Sequence, residues 1–569
     1  MAFLFLLMKK LRWQISIVLV TLIVVAVLLL SQQESVLIPI LPQPAAGGVY
    51  TEALIGTPSR FNPLLDWNNQ PDRDVDRLLF SGLIRFDARG LPVPDLAESW
   101  GVSQDGTIYN FALRPNAIWH DGSPVTADDV LFTIELIKSQ SSFFPQDVKD
   151  LWAEVEIKKL SDKSLKFTLP EPYAPFLDYL TFGILPQHVL GNLPVEQILD
   201  APFNLSPVGS GPYKFERIMV GGGQITGVVL TAFDGYYGRK PLISQIVFRY
   251  YADAPSALDA YRTGEVMGIG QITSDILNDA LAEPNLSIYT SRQPMLSLVL
   301  LNHNNPETPF FQDKEVRRAL VMGLNRQRLI DRLLNGQAIV ADSPILPGSW
   351  AYYDGVEHIG YDPEGAIALL KKAGYTLPAG ESTVRVKENQ RLAFVLLHPN
   401  TSQHTALAQA IQQDWKEIGV EVELQPLPYD QLIAASLTPR AYQAALIDLN
   451  LTRTPDPDPY PFWHQAEATG GQNYAQWDNR PASEYLEQAR TQTDFAARAR
   501  LYRNFQVVFS AEQPAILLYY PVYSCGINAE VQGVQMPPLY DPSDRLNNLP
   551  EWYLLTRRAL DKATLTPKP

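Results

Sequence analysis

Three cations, Lys9, Lys10 and Arg12, stand directly before an 18-residue run, 13–30, whose only polar members are Gln14, Ser16 and Thr21. About 20 apolar residues cross a bilayer as a helix, and flanking cations stay on the cytoplasmic side. This pattern divides the chain into a cytoplasmic arm over 1–12, a transmembrane anchor over 13–30, and a large body outside the cytoplasm. A cleaved signal peptide is the competing reading. Against it, Ser31-Gln32-Gln33-Glu34 offers no small-residue cleavage pattern and the run is long for a signal core. No cysteine lies nearby to carry a lipid. Residues 31–48, with Pro39, Pro42 and Pro44, have no amphipathic period and read as a semi-stiff linker.

The body has globular composition, 46% hydrophobic and 19% charged over 569 residues, which argues against general disorder. At about 150 residues per domain the length gives roughly four domains, fewer if they are large. A net charge of −15, from 46 basic and 61 acidic residues, argues against a nucleic-acid partner, which needs a basic face. One cysteine, Cys525, excludes an intramolecular disulfide, a CxxC pair and a thiolate-rich zinc site. No fixed-period repeat is visible, which disfavours solenoids and propellers. Residues 565–569 read as a frayed tail.

Helical and strand patterns alternate along the body. Tyr109, Phe111 and Leu113 alternate as in a strand buried on one face. Thr126-Ala127-Asp128-Asp129 is a capping box before Val130, Ile134 and Ile137. Residues 155–169 predict a hairpin turning at 161–164, and Gly221-Gly222-Gly223 predicts another. Asp313 can cap one helix carrying Val316, Leu320 and Leu324 to about Asn335-Gly336. Asp362-Pro363 starts a second, and Leu407, Ile411, Trp415 and Ile418 share a face of a third that feeds alternating Val420, Val422 and Leu424. A long helical stretch through Phe505 and Phe509 leads to an apolar strand, 515–523. Helix feeding strand is the unit of an α/β sheet, so the class is α/β with more than one lobe.

Reactive constellations are sparse. Seven histidines are scattered without an HExxH or i,i+4 pair, so no metal is expected. Val208-Gly209-Ser210-Gly211 lacks the outer glycines of a nucleophile elbow. The glycine run at 221–223 lacks the Gly-Lys-Ser/Thr of a phosphate loop. Asp456-Pro457-Asp458-Pro459 reads as a rigid loop rather than a pair of glycosidase carboxylates. No cofactor and no catalysis are expected.

Leu96-Ala97-Glu98-Ser99-Trp100, residues 105–114 (DGTIYNFALR) and 119–130 (WHDGSPVTADDV) resemble the family 5 extracellular solute-binding proteins, receptors of bacterial ABC importers for oligopeptides, dipeptides and chelated nickel. Gly209-Ser210-Gly211-Pro212-Tyr213, Asp234-Gly235-Tyr236-Tyr237, Asp313 with Val316-Arg317-Arg318-Ala319-Leu320, and Tyr361-Asp362-Pro363-Glu364 follow in the family's order. The resemblance covers about 49–540. It implies an α/β, two-lobe, periplasmic-binding-protein-like fold of class II with a hinge. Lobe I would be 49–292 with an extra subdomain near 79–208, lobe II 293–512, and 513–569 would return to lobe I. It further implies a monomeric, extracytoplasmic receptor that binds a peptide or other small solute and serves ABC permease and ATPase subunits.

Peptide receptors of this family commonly place an aspartate, for the peptide's α-ammonium, three residues before the acid that opens the Asp-Pro loop. Here that loop acid is Asp456 and the matching position is Arg453; the family's preceding tryptophan is Asn450. An arginine there would better receive a carboxylate, a phosphate or sugar hydroxyls, so a saccharide, metal chelate or anionic ligand is the alternative, as is a membrane-anchored sensor. The candidate ligand residues are Arg60, Phe61 and Asn62 in the loop after the first strand, Asn302 near the lobe crossing, and Asn450, Arg453, Asp456, Asp458 and Trp463.

Overall fold

The computed structural model describes residues 2–31, 40–139, 144–380, 382–452 and 455–560. The chain divides into two compact units, Met1–Ala45 with Leu555–Pro569, and Ala46–Leu554. In the first unit a helix covers Ala2–Ser31. Side chains are described within it for Trp13, Gln14 and 16–28, and they are exposed. Among the described residues no helix is long and apolar enough to cross a membrane, so the span expected at 13–30 is not shown. The linker expectation needs correction. Ile40–Ala45 is a strand, antiparallel to Leu555–Leu560, with Ile40 opposite Leu560 and Ala45 opposite Leu555. Pro42 and Pro44 are two residues apart, so their missing N–H groups share one edge, which a two-stranded ribbon can leave unpaired. The tail at 565–569 lies outside the described residues.

The second unit is built on a mixed sheet of twelve strands. From one edge it runs Glu421–Leu427, Ala393–Pro399, Ala444–Asn450, Met295–Leu301, Ala515–Asn528, Gly268–Ile269, Val49–Ile55, Gln245–Tyr251, Gln224–Ala232 and Tyr213–Gly221. Ala515–Asn528, longer than the strand expected to end at 523, is shared by two lobes. Its first part pairs with Met295–Leu301 and Ala338–Val340, and its last part with Leu286–Arg292 and Gly268–Ile269. Where the chain crosses between lobes, Gln293 N–H donates to the Pro521 carbonyl at 2.7 Å. Pro294 and Pro521 have no N–H to give, which thins the ladder at the crossing.

Packing follows from side-chain alternation. On the Met295–Leu301 strand, Val299 and Leu301 join Val316, Leu320, Ile411 and Trp415 in one core. Leu296, Leu298 and Leu300 join Leu486, Phe505 and Phe509 on the other side. A strand apolar on both faces is sandwiched between helices, the α/β arrangement. The first lobe gathers Tyr50, Leu79, Phe111, Trp152 and Leu230 around one core that Leu546 and Trp552 also enter. A separate four-stranded sheet, ordered Ala97–Val102, Ile108–Leu113, Ser164–Thr168 and Glu156–Ser161, stands beside it. Tyr109, Phe111 and Leu113 are buried there.

Thr126 caps Ala127–Lys138 through the capping box with Asp129. The stretch after Asp313 is two helices, not one: Lys314–Met322 and Arg326–Leu333. Gly323 ends the first. Asn325 opens the second, its side chain accepting the Arg328 N–H at 3.0 Å while its own N–H donates to buried Asp414 at 2.9 Å. A local cap and a distant carboxylate together outweigh the helical period.

Candidate ligand-binding site

A cavity of about 1460 Å³ opens between the lobes. The first lobe supplies residues of the helices Gln70–Leu79 and Gln146–Glu154, the 3-10 turn Ala174–Leu180 and the return segment 535–551. The second supplies the end of Ala444–Asn450, the Asp-Pro loop, residues between 461 and 474, and Arg490. The lobes touch at its margin, where Asp456 N–H donates to Asp178 Oδ2 at 2.9 Å. At another contact Trp350 N–H donates to the Arg89 carbonyl at 2.8 Å.

Prolines 455, 457 and 459 stiffen the Asp-Pro loop, and arginines from two helices brace it. Arg498, on Phe495–Glu512, grips Asp456 through two bonds of 2.5 and 2.8 Å. Arg490, on Arg480–Thr491, holds Asp458 at 2.8 Å. Its guanidinium lies 3.8 Å over the Tyr460 ring and 5.7 Å from that of Tyr173 in the first lobe. Burial pushes the Asp458 carboxyl above the usual carboxylate range, with Arg490 opposing. Both loop carboxylates are thus already matched by a cation.

Across the cavity some carboxylates are matched in the same way and others are not. Arg73 pairs with Asp541 at 3.4 Å and Arg77 with Asp544 at 3.1 Å. Asp95 accepts a hydrogen bond from the Tyr237 hydroxyl, and its burial raises its pKa. Asp178 lacks an ion-pair partner among the described residues; its contact is the backbone N–H of Asp456. Burial, and then the neighbouring Asp456 charge, hold its carboxyl well above the usual range.

The sequence candidates separate into two groups. Asn450, Asp456 and Asp458 line the cavity. Asn450 is exposed and its side chain accepts the Thr452 N–H at 2.9 Å. Arg453 lies outside the described residues. The rest are framework, which corrects their placement at the cleft. Phe61 is fully buried against Phe215, and Asn62, also fully buried, donates to Asn204 at 3.0 Å. Arg60 is tied by Nε to the Leu199 carbonyl at 2.8 Å, while Asp72 accepts the backbone N–H groups of Ser59 and Arg60. Asn302 donates to the carbonyls of Arg440 and Tyr442. Trp463 is 2% exposed and meets Phe509 edge-on at 4.7 Å. An aromatic or amide beside a polar loop carries no local sign of whether it faces core or cavity. Asp178, Arg490 and Arg498 escaped sequence reading because their meaning lies in partners far away in the chain.

Among the described residues no group of three His, Cys, Asp or Glu is placed to hold a metal. Ser210 is fully buried, so the serine of the elbow-like stretch is out of reach of a substrate.

The chain matches the family model of bacterial extracellular solute-binding proteins, family 5 middle, over residues 92–472. It is 26% identical to the oligopeptide-binding protein AppA of Bacillus subtilis (strain 168) over 519 residues, 90% of this chain and 92% of that one. To the dipeptide-binding protein of Escherichia coli (strain K12) it is 28% identical over 510 residues, 85% and 91% of the two chains. The solved structure of the Bacillus subtilis AppA in complex with a nonapeptide superposes with a TM-score of 0.65 at 25% identity, covering 90% of this chain and all of that one. NikZ of Campylobacter jejuni in complex with Ni(L-His) gives 0.66 at 27%, covering 89% and 99%. Motif order, the two-lobe α/β fold and the match over most of its length agree: the chain belongs to the bacterial extracellular solute-binding proteins of family 5.

Proposed function

We propose that this chain is the extracytoplasmic receptor of an ABC importer, capturing a peptide or peptide-like solute between its lobes and presenting the closed form to permease and ATPase subunits. The observation that carries this is the interlobe cavity. At about 1460 Å³ it exceeds the roughly 300–1,000 Å³ of ordinary small-molecule pockets, which leaves room for several linked residues. Relatives named for oligopeptides and dipeptides support the same reading. The mechanism needs no reaction: a ligand touching both walls favours the closed arrangement by its differential affinity. Asp456 and Asp458 serve by fixing the loop, with Asn450 and the loop backbone facing the solute. Mass spectrometry of material released on denaturing the purified protein is expected to find peptides. A sugar or a metal chelate as the sole co-purified solute would overturn the reading.

The same reading places the N-terminal helix in the membrane as an uncleaved anchor. Its support is the apolar run at 13–30 and the exposure of Ile17, Leu22 and Leu28 on a helix. Carbonate-washed membranes should retain a chain with its first residues intact. A soluble form beginning near residue 31 would sink this.

A further inference from the structure

We propose that the solute taken here carries net positive charge and that one of its ammonium or guanidinium groups seats against Asp178. This rests on the interlobe cavity being the ligand site. Among the described residues that line the cavity, fourteen are aspartate or glutamate, four are arginine and none is lysine. The whole chain has 61 acids and 46 bases, so the negative charge is concentrated at this opening well beyond the average. One additional cation at Arg453 would leave that balance strongly acidic. The charge of the cavity therefore runs opposite to what Arg453 alone implied.

Three of the four arginines are already committed. Arg73, Arg77 and Arg490 sit on Asp541, Asp544 and Asp458, so they neutralise the wall rather than attract an anion. Arg498 likewise satisfies Asp456 from behind the loop. Asp178 differs. It lies where the lobes meet, one oxygen occupied by the Asp456 N–H, with no ion-pair partner among the described residues. A half-buried carboxylate in such a place gains from an arriving cation, because a charge drawn partly out of water is costly until paired. A cleft of one sign between low-dielectric walls also focuses its field outward and raises the local concentration of oppositely charged solutes. Closure over a cation at Asp178 would join both lobes through the solute, since Asp178 already contacts the second lobe through Asp456.

Calorimetry on the full chain in detergent, with the free peptides Ala-Lys-Ala-Lys-Ala, Ala-Ala-Ala-Ala-Ala and Ala-Glu-Ala-Glu-Ala and with spermidine, tests this. The lysine peptide is expected to bind about tenfold or more tightly than the alanine peptide, the glutamate peptide weakest, with the lysine preference shrinking at 0.5 M salt. Asp178→Asn keeps an oxygen for the Asp456 N–H and is expected to weaken the lysine peptide about tenfold. Its thermal unfolding should match the parent, which separates lost binding from lost folding. Equal or tighter binding of the alanine or glutamate peptide overturns the proposal while leaving the peptide-receptor reading intact. An unchanged lysine-peptide affinity in a folded Asp178→Asn protein also overturns it. Spermidine binding without any peptide binding upholds the cationic site and removes the peptide reading. If none of the four probes binds, both fall.

Discussion

His120 is held as a neutral ring. Its Nδ1 accepts the Gly209 N–H at 3.1 Å, which leaves Nε2 as the donor to the Gly211 carbonyl, also at 3.1 Å. Burial pushes its pKa from 6.5 down to about 4. Between those values the unfolded chain binds a proton that the folded chain refuses. The stabilisation is therefore complete above pH 6.5 and is lost as pH falls toward 4, on the order of 3 kcal/mol in all. Buried His303, lowered by burial to about 3, adds in the same direction. Urea unfolding across this pH range should show the slope, and His120→Gln should flatten part of it. The Arg498–Asp456 pair makes another residue-scale case. Arg498→Met strands a buried carboxylate and should cost about 3–5 kcal/mol, whereas adding Asp456→Asn should recover much of that. A double-mutant cycle by denaturant titration reads both.

Elements show which sequence signals are local enough to trust. Gly222 and Gly223 sit at φ +60° and +80° in the hairpin turn between Tyr213–Gly221 and Gln224–Ala232. Nothing lies near a Cβ built at Gly222, so Gly222→Ala should cost only its backbone strain, about 1 kcal/mol. Gly209 is glycine for another reason: a Cβ there would come within 1.9 Å of the Leu79 carbonyl oxygen. Gly209→Ala should cost about 3 kcal/mol, because backbone cannot step aside as a side chain does. Thermal unfolding of the two variants distinguishes strain from collision. Gly222 was legible as a turn, whereas Gly209 stood in a failed catalytic motif and in a family-like stretch, neither of which spoke of a close backbone approach. The capping box at Thr126 and the hairpin at 161–164 were legible because each is settled within a few residues. The break at Gly323–Asn325 was not, since Asp414 lies far along the chain. Nor was the strand Ile40–Ala45, whose partner strand is at the other end of the sequence.

On the scale of the molecule, length pointed to about four domains, whereas strand sharing makes two lobes. At the site, the Asp-Pro loop was visible in the sequence but its bracing was not, and Asp178 carried no signature at all. The contacts Asp456–Asp178 and Trp350–Arg89 join the two walls, and moving a hinge from 1:99 to 99:1 takes roughly 5.5 kcal/mol of ligand preference. Cys525 is buried and its thiol is pushed up to about 12 by that burial, so thiol dyes will pass it by. Cysteines introduced at exposed Lys158 and Glu423, one in each lobe, should therefore report closure cleanly. Energy transfer between them is expected to change on adding solute and to reverse on its removal. An unchanged signal at saturation would exclude hinged capture.

The shared strand also sets a clock for biosynthesis. Met295–Leu301 and Leu286–Arg292 both wait for partners within Ala515–Asn528, which leaves the ribosome only after the other strands and helices of the second lobe. Until then each lobe carries unpaired strand edges, the state most open to aggregation and to chaperones. A nascent chain that cannot finish folding early stays threadable, the condition a secretion channel requires. Stop codons just before residue 515 should thus be far more damaging than equally short deletions elsewhere.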